Sequence, residues 1–408
     1  MTLEARIAIE ALRAGVPNRA AVRLMGTEEP SLEHEFDEQL QRAWSGTPRA
    51  GLGVAGGFGS GKSHFLVYLS EVARERNFVV SRVVVSKETP LSDPARVFEA
   101  AVRAAVLPDR NDDAITGALA ILRQSRDRMA ALETAVEQAG DALAPVFAAL
   151  LFLLQRDSLP AGFPRQVERF LAGGKIRAAD IRQALAASGG ARKYDSRLPA
   201  AALLIEQRIH FLTALLHAAG YAGWCLLFDE VELIGRYTSP RRALAYTWLA
   251  TWLGMEGARS WPGIVAAYAI TDDFVTAVID EREDTVRLTE RLRSKERHHE
   301  ARLAATAMEH IARTVQARRL RAPGVDDLAR ANLRLGELYQ QAYGWQPPAA
   351  DAPERTASRT MRQHIKSWIT EWDMRRLTGE VTRSVVEEIA ANYEEDESLS
   401  APAEDEPE

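Results

Sequence analysis

Apolar residues along this chain follow two rhythms. Short runs dense in β-branched or other apolar residues, bounded by glycine or polar positions, occur at Leu52, Val54 and Ala55, at FVVSRVVVS (78–86), at GWCLLFDE (223–230) and at GIVAAYAIT (263–271). They predict strands, and a fifth is read at 284–288. Elsewhere apolar positions recur three or four apart, as in Phe65, Leu66, Leu69 and Val72, or Met361, Ile365, Trp368, Ile369 and Trp372. That is the period of a helix with one buried face. Strands at 223–230 and 263–271 that each follow an amphipathic helix predict an α/β fold with a parallel sheet.

The same patterning divides the chain. Helices over 3–14, a short one after the break at Gly15 and Pro17, and a third over 31–45 make an N-terminal helical segment, 1–48. An α/β core follows over 49–290. It is interrupted at about 90–207 by an insertion of alanine- and leucine-rich helical stretches such as ARVFEAAVRAAV and DALAPVFAALLFLLQ, punctuated by Pro108, Pro160, Pro164 and the pairs Gly173-Gly174 and Gly189-Gly190. Helices near 295–319, 325–343 and 358–375 form a C-terminal helical lid, 291–376, and 377–408 holds a last short helix and an acidic end. No internal repeat is present.

Composition narrows the class. Of the 408 residues, 46% are hydrophobic and 26% charged, ordinary for a globular protein. No apolar run approaches the ~20 residues of a membrane span. The start, MTLEARIAIEALRAG, lacks the layout of a secretory signal, so a cytoplasmic location is expected. The single cysteine, Cys225, lies in an apolar run and reads as core packing; it excludes an internal disulfide and a multi-cysteine metal site. The net charge of −6 depends on position, because ten acids and no Lys or Arg lie within 387–408. The other 386 residues carry 51 basic against 47 acidic groups. Ending EEDESLSAPAEDEPE, the chain is expected to be a disordered, solubilising tail beyond about Tyr393.

One glycine-dense turn carries chemistry. Gly56 to Ser63 fit G-x-x-x-x-G-K-[ST] without a mismatch, after a strand and at the opening of a helix. The glycines let backbone N–H groups curl around phosphate oxygens, and the helix start adds the positive end of its dipole. Lys62 then reaches the β- and γ-phosphates, and Ser63 offers an oxygen to Mg²⁺. Gly57, Phe58, Gly59, Ser60, Gly61, Lys62, Ser63 and the adjoining His64 are the candidate cofactor contacts.

The run Leu226-Leu227-Phe228-Asp229-Glu230 supplies a second half, an apolar strand ending in two acids. Asp229 is the candidate Mg²⁺ holder with Ser63, acting through water, and Glu230 the candidate base that polarises an attacking water. No guanine-reading N-K-x-D occurs, which favours ATP. Thr271, ending the next strand ahead of Asp272, is placed to orient the water between the acids and the γ-phosphate, although strands also end in Thr or Asp for turn-making reasons.

Residues 287–321 hold ten Lys or Arg against four acids, including Arg287, Arg291, Arg293 and Arg297. Three readings stand: a solvated helix face, an arginine finger offered to a neighbouring subunit of a homo-oligomer, or a patch that meets a DNA backbone. Arg359 and Arg362 open the last lid helix and are candidates to reach back to the phosphates. Trp248 and Trp252, four apart, read as core packing rather than a base-stacking platform, and His298-His299 as surface.

With both motifs in place the chain resembles the AAA+ ATPases, P-loop NTPases of the ASCE type. IEALRAGVPNRAAVRLMG, GGFGSGKSHFL, SKETPLSDP and LLFDEVELIGRY further resemble the ATP-binding proteins of the BREX bacteriophage-defence systems, relatives of origin-recognition-type ATPases. The likeness is strongest over about 5–100 and 200–275. It implies Lys62 and Ser63 in the phosphate loop, Asp229 and Glu230 at the acidic strand end, Thr271 as first sensor and Arg362 as lid sensor. It also implies that Val16, Pro17 and Arg19 lie near the adenine. Two departures stand out. Lys62 and Asp229 are 167 residues apart, far more than in a compact AAA+ core, which makes the insertion the expected seat of partner specificity. Too few residues follow the last lid helix for the winged helix of origin-type relatives.

The reading that results is a Mg²⁺-dependent ATPase that couples nucleotide state to assembly of a defence complex acting on or near DNA. Its expected partners are other defence-system proteins, a helicase among the candidates, with no membrane. The alternative is a slow-turnover switch or scaffold that presents its insertion to such a partner. A kinase for a small acceptor is disfavoured, since adjacent Asp and Glu suit water activation.

Overall fold

The computed structural model describes residues 2–16, 18–27, 29–45, 50–110, 113–156, 159–259, 261–321, 323–348, 360–380 and 393–399. The chain opens with α1 (Leu3–Ala14), capped by the Thr2 side chain and stopped by Gly15 in the left-handed conformation. Next come α2 (Arg19–Met25), whose first amides are held by Asn18, and α3 (Pro30–Gln41). Strand β1 (Leu52–Ala55) runs through the glycine turn into α4 (Lys62–Glu75) and on to β2 (Phe78–Val84). The insertion holds α5 (Pro94–Arg103), a two-residue strand β3 (Ala105–Val106), α6 (Ala114–Arg123), α7 (Arg126–Gln138), α8 (Pro145–Leu154), α9 (Phe163–Leu171), α10 (Ala178–Ala187) and α11 (Ala201–Ala218). It returns to β4 (Gly223–Asp229), followed by α12 (Ser239–Trp252), β5 (Ile264–Ile270), α13 (Asp284–Arg293) and α14 (His298–Ala317). Helices α15 (Val325–Tyr343) and α16 (Met361–Thr378) follow.

The strands form one sheet in the order β1-β5-β4-β2-β3. All pairs are parallel except β2 with β3. Both faces are covered, as a parallel sheet requires. Alternation along β4 sends Cys225 and Leu227 to a core with α3 and α4, where Phe36, Phe65 and Leu69 meet them. Trp224, Leu226 and Phe228 turn the other way into the larger core, which runs through α12, α14 and the insertion without a break. This mixed α/β arrangement, with its mostly parallel sheet, is compatible with a P-loop NTPase.

Strand order decides what sits beside what. Because β5 lies between β1 and β4, the glycine turn, Thr271 and the Asp229-Glu230 pair emerge side by side along one edge of the sheet. After α14 the chain returns to the same edge, where Ala55 N donates to Arg318 O at 2.9 Å and Leu320 N to Ala55 O at 2.8 Å.

Three features differ from the expectations. Residues 284–288 are the start of α13, not a strand: Leu288 and Leu292, four apart, are buried, while Val286 is exposed. The fifth strand is instead β3, inside a stretch read as helical. Part of the acidic end is ordered against the core, with Leu399 buried and Tyr393–Leu399 held by arginines of the α12 and α13 region. The residues expected to form the last short helix fall mostly outside the described residues.

Helices α1 and α2 pack with α15 and α16 around Ile9, Leu335, Tyr339, Ile369 and Trp372, a core of their own. Helix α14 packs along α12 and behind β1 instead. Trp252 is buried against Phe228 and Trp261, while His298 and His299 are exposed at the start of α14. No described helix is long and apolar enough to cross a membrane.

Candidate nucleotide site

The turn after β1 has the backbone that a phosphate loop needs. Gly59 and Gly61 sit at φ of 73° and 102°, a region that L side chains enter only with strain. Gly61 begins α4 with no side chain capping it, so the first-turn amides are left for another acceptor. The space in front of that turn is open, since a Cβ on Gly61 would meet nothing within 4 Å. Ser60 Oγ is buried and has no hydrogen-bond partner among the described residues, a second donor waiting for an acceptor. Lys62 Nζ donates to Gly56 O at 2.8 Å and Gly57 O at 3.1 Å, beneath the half-exposed ring of Phe58, 5.6 Å from the ammonium. Ser63 occupies the second position of α4.

Asp229 ends β4 fully buried, its Oδ1 accepting from Glu230 N at 3.1 Å and its Oδ2 3.8 Å from Arg82 Nη2. With Ser63 it is the candidate metal holder of the site. Glu230 takes up a left-handed conformation, φ 60° and ψ 34°, which turns the chain sharply at the strand end. Burial, and next the charge of Asp229, push the Glu230 carboxyl above its usual range, while Lys62 and Arg362 oppose the shift. A carboxyl so placed is better suited to accept a proton than an exposed one.

That sharp turn also delivers a residue the motif did not reveal. Glu232, two positions on, is buried with one oxygen 4.0 Å from Lys62 Nζ and the other without a hydrogen-bond partner among the described residues. Burial raises its carboxyl to about 7, against the pull of Lys62. Strand alternation is lost once Glu230 turns left-handed, so spacing alone gave no sign that Glu232 would return under Lys62. Only the acid pattern D-E-V-E hinted at it.

Thr271 closes β5 beside these acids, and its hydroxyl is engaged by the Tyr393 hydroxyl, which also donates to Asp273 Oδ1 at 2.8 Å. Tyr393, 122 residues away in sequence, left no local signal.

A cleft of about 190 Å³ opens over the turn. Gly59, Gly61 and His64 floor it, Val16 and Gly26 form one wall, and Met361 and Arg362 of α16 the opposite one. Closure there depends on Gly15, where a Cβ would lie 2.9 Å from Lys366 Cε and 3.4 Å from Arg362 Cδ. His64 Nε2 lies 3.0 Å from Gly26 O, and burial lowers its pKa, so the neutral ring ties α4 to the end of α2. Arg19 is placed differently: its Nε donates to Glu71 at 2.6 Å, a carboxylate shared with Arg23, and it does not line the cleft. Pro17 and Arg359 lie outside the described residues.

Five of the ten basic residues over 287–321 are paired with acids. Arg287 meets Glu283, Arg297 meets Glu300, Arg313 meets Glu309, Arg318 meets Glu35 and Arg321 meets Glu29. Arg287, Arg291 and Arg293 are exposed on α13, and Arg321 is the member of the cluster that reaches the cleft.

With this geometry in view, comparison with known proteins is informative over the first third of the chain. Residues 2–138 match the family model of the BREX system ATP-binding protein BrxC/D. The resemblance read from the sequence is thereby borne out over that span, which holds the glycine turn, Lys62, Ser63 and the cleft wall of α1 and α2. Asp229, Glu230, Thr271 and Arg362 lie beyond the BrxC/D match. No curated protein and no solved structure matches the chain significantly.

Proposed function

We propose that this chain is a Mg²⁺-dependent ATPase of the AAA+ type working in a BREX-like phage-defence complex. The observation that carries the reading is the alignment, on one sheet edge, of the glycine turn, the buried Asp229, Glu230 and Thr271, with Arg362 on the far wall of the cleft that opens over that turn. The BrxC/D match supports ATP as the ligand. Open space before Gly61, the uncapped start of α4 and the unpartnered Ser60 hydroxyl fit a triphosphate. Mg²⁺, held by Ser63 and Asp229, would neutralise charge on the phosphates.

In this reading the chain's own groups divide the work. Lys62 leaves the Gly56 and Gly57 carbonyls for the phosphates, and the amides of the turn fix their position. Glu230 accepts a proton from the attacking water, and Thr271 orients that water. Arg362 brings positive charge from the lid, so closure of α16 and completion of the site coincide.

Glu230→Gln tests the reading. It should leave ATP binding intact and lower turnover at least about a hundredfold. A variant that still hydrolyses ATP, or still protects cells, would remove the motor role. The second reading, a slow-turnover switch that recruits a helicase or other defence partner, is favoured by one contact: Lys62 is tied to its own loop and must be released before it can serve a phosphate. ATPase rates with and without double-stranded DNA, over a salt series, separate the two. Stimulation that fades steeply with salt supports phosphate contacts by α13 and its neighbours, and no response to DNA supports the switch.

A further inference from the structure

The hydroxyl of Tyr393 sits at the candidate hydrolytic site, although it belongs to an acidic end that composition marks as a solubilising tail. Its hydrogen bonds have a fixed direction. The Asp273 carboxylate can only accept, so the single phenol proton goes to Asp273 Oδ1 at 2.8 Å. The hydrogen bond between Tyr393 and Thr271 must then be donated by Thr271. Thr271, with its one proton committed, can serve any other partner only as an acceptor.

We propose that Tyr393 is a positioning residue of the ATPase site: by taking the Thr271 proton, it fixes that hydroxyl as an acceptor for one hydrogen of the attacking water, while Glu230 accepts the other. The inference rests on the hydrolytic reading above, and on Thr271 as the residue that orients water. A water held by two acceptors points a lone pair away from both, toward the phosphorus. When the water oxygen bonds to the γ-phosphorus, the bond to the β-phosphate oxygen breaks, the water proton passes to Glu230, and ADP and phosphate leave.

The segment is built to hold the phenol there. Its ring lies edge-on to Phe274, with centroids 6.0 Å apart, and against Gly235, where a Cβ would come within 3.0 Å of Tyr393 Cδ1. Arg282 donates to Tyr393 O at 2.5 Å, Arg242 pairs with Glu395 at 3.0 Å and Arg236 with Asp396 at 2.9 Å. Arg241 donates to Leu399 O at 3.1 Å, and the Leu399 side chain is buried. Burial also raises the phenol pKa, which keeps its proton in place at neutral pH. Acids at this end of the chain therefore have specific arginine partners on the surface that carries the site.

Tyr393→Phe in the full-length protein tests this, because it keeps the ring and removes only the hydroxyl. The expected result is a kcat roughly tenfold lower with KM for ATP within about twofold, since orientation and not binding is lost. In a Thr271→Val background the same substitution should have no further effect. An unchanged or raised kcat, a change confined to KM, or full additivity with Thr271→Val would overturn the proposal. Glu230→Gln in the same assay separates the two levels. If it is inactive while Tyr393→Phe matches the unmodified protein, the tail role alone fails. If Glu230→Gln turns over normally, the hydrolytic reading fails and the tail role with it.

Discussion

Glu232→Gln exposes the electrostatics of the site most directly, because Gln has nearly the shape of Glu and no charge at any pH. Glu232 is buried, and its carboxyl ionises at about 7 instead of near 4.5. Between those values the unfolded chain has released this proton and the folded protein still holds it. The folded state binds more protons there, so stability falls as pH rises through the window, and the loss is complete just above pH 7. Its full size is roughly 3 kcal/mol, from about 1.4 kcal/mol for each pH unit of difference between the two states. Lys62, 4.0 Å away, already softens the penalty. Guanidinium unfolding followed by tryptophan fluorescence, from about pH 4 to about pH 8, reads it out. Glu232→Gln should match the unmodified protein near the acid end and gain up to roughly 3 kcal/mol over it near the alkaline end. Curves that stay parallel across the range would refute the reasoning. A second consequence concerns the ligand. If ATP draws Lys62 away, Glu232 loses its counter-charge and holds its proton more tightly, so binding should take up protons above neutrality. Calorimetry in buffers of different ionisation enthalpy detects that uptake, and Glu232→Gln should abolish it.

Two further substitutions probe the frame around the site. Asp284→Ala strands the buried Arg242, which pairs with Asp284 through contacts of 2.7 and 2.9 Å, and should destabilise the protein by about 3–5 kcal/mol in denaturant titration. Gly59→Ala puts a Cβ 2.8 Å from Thr360 Oγ1 at a φ of 73°, straining both the turn and the N-cap of α16. About 1–2 kcal/mol of backbone strain predicts roughly tenfold weaker ATP binding by calorimetry, with at least as large an effect for Gly61→Ala, whose φ is 102° and whose Cβ would enter the open space before the turn.

What was legible in the sequence was local. The dense β-branched run of β2 and the apolar run of β4 appear where they were expected, because a buried strand needs little beyond its own side chains to be recognised. Residues 284–288 misled because T-V-R-L alternates like a strand. The helix there is decided by long-range partners: Asp284 bonds Arg242 and Tyr246, and Leu288 and Leu292 pack inward. Strand β3 is two residues long and owes its existence to the edge of β2, which no window centred on it could show.

By itself the sequence determined the glycine turn with Lys62, the acids closing an apolar strand, and the family resemblance carried by the first third of the chain. These follow from residue type and spacing over a few positions. The tertiary structure decided which of them meet. Inserting β5 between β1 and β4 sets Thr271 between the loop and the acids; packing α1 and α2 on α15 and α16 makes the cleft a junction of both chain ends. It also brought Glu232 under Lys62 and Tyr393 onto Thr271. Such contacts join residues far apart in sequence, and they exist because separate apolar faces find burial only against one another.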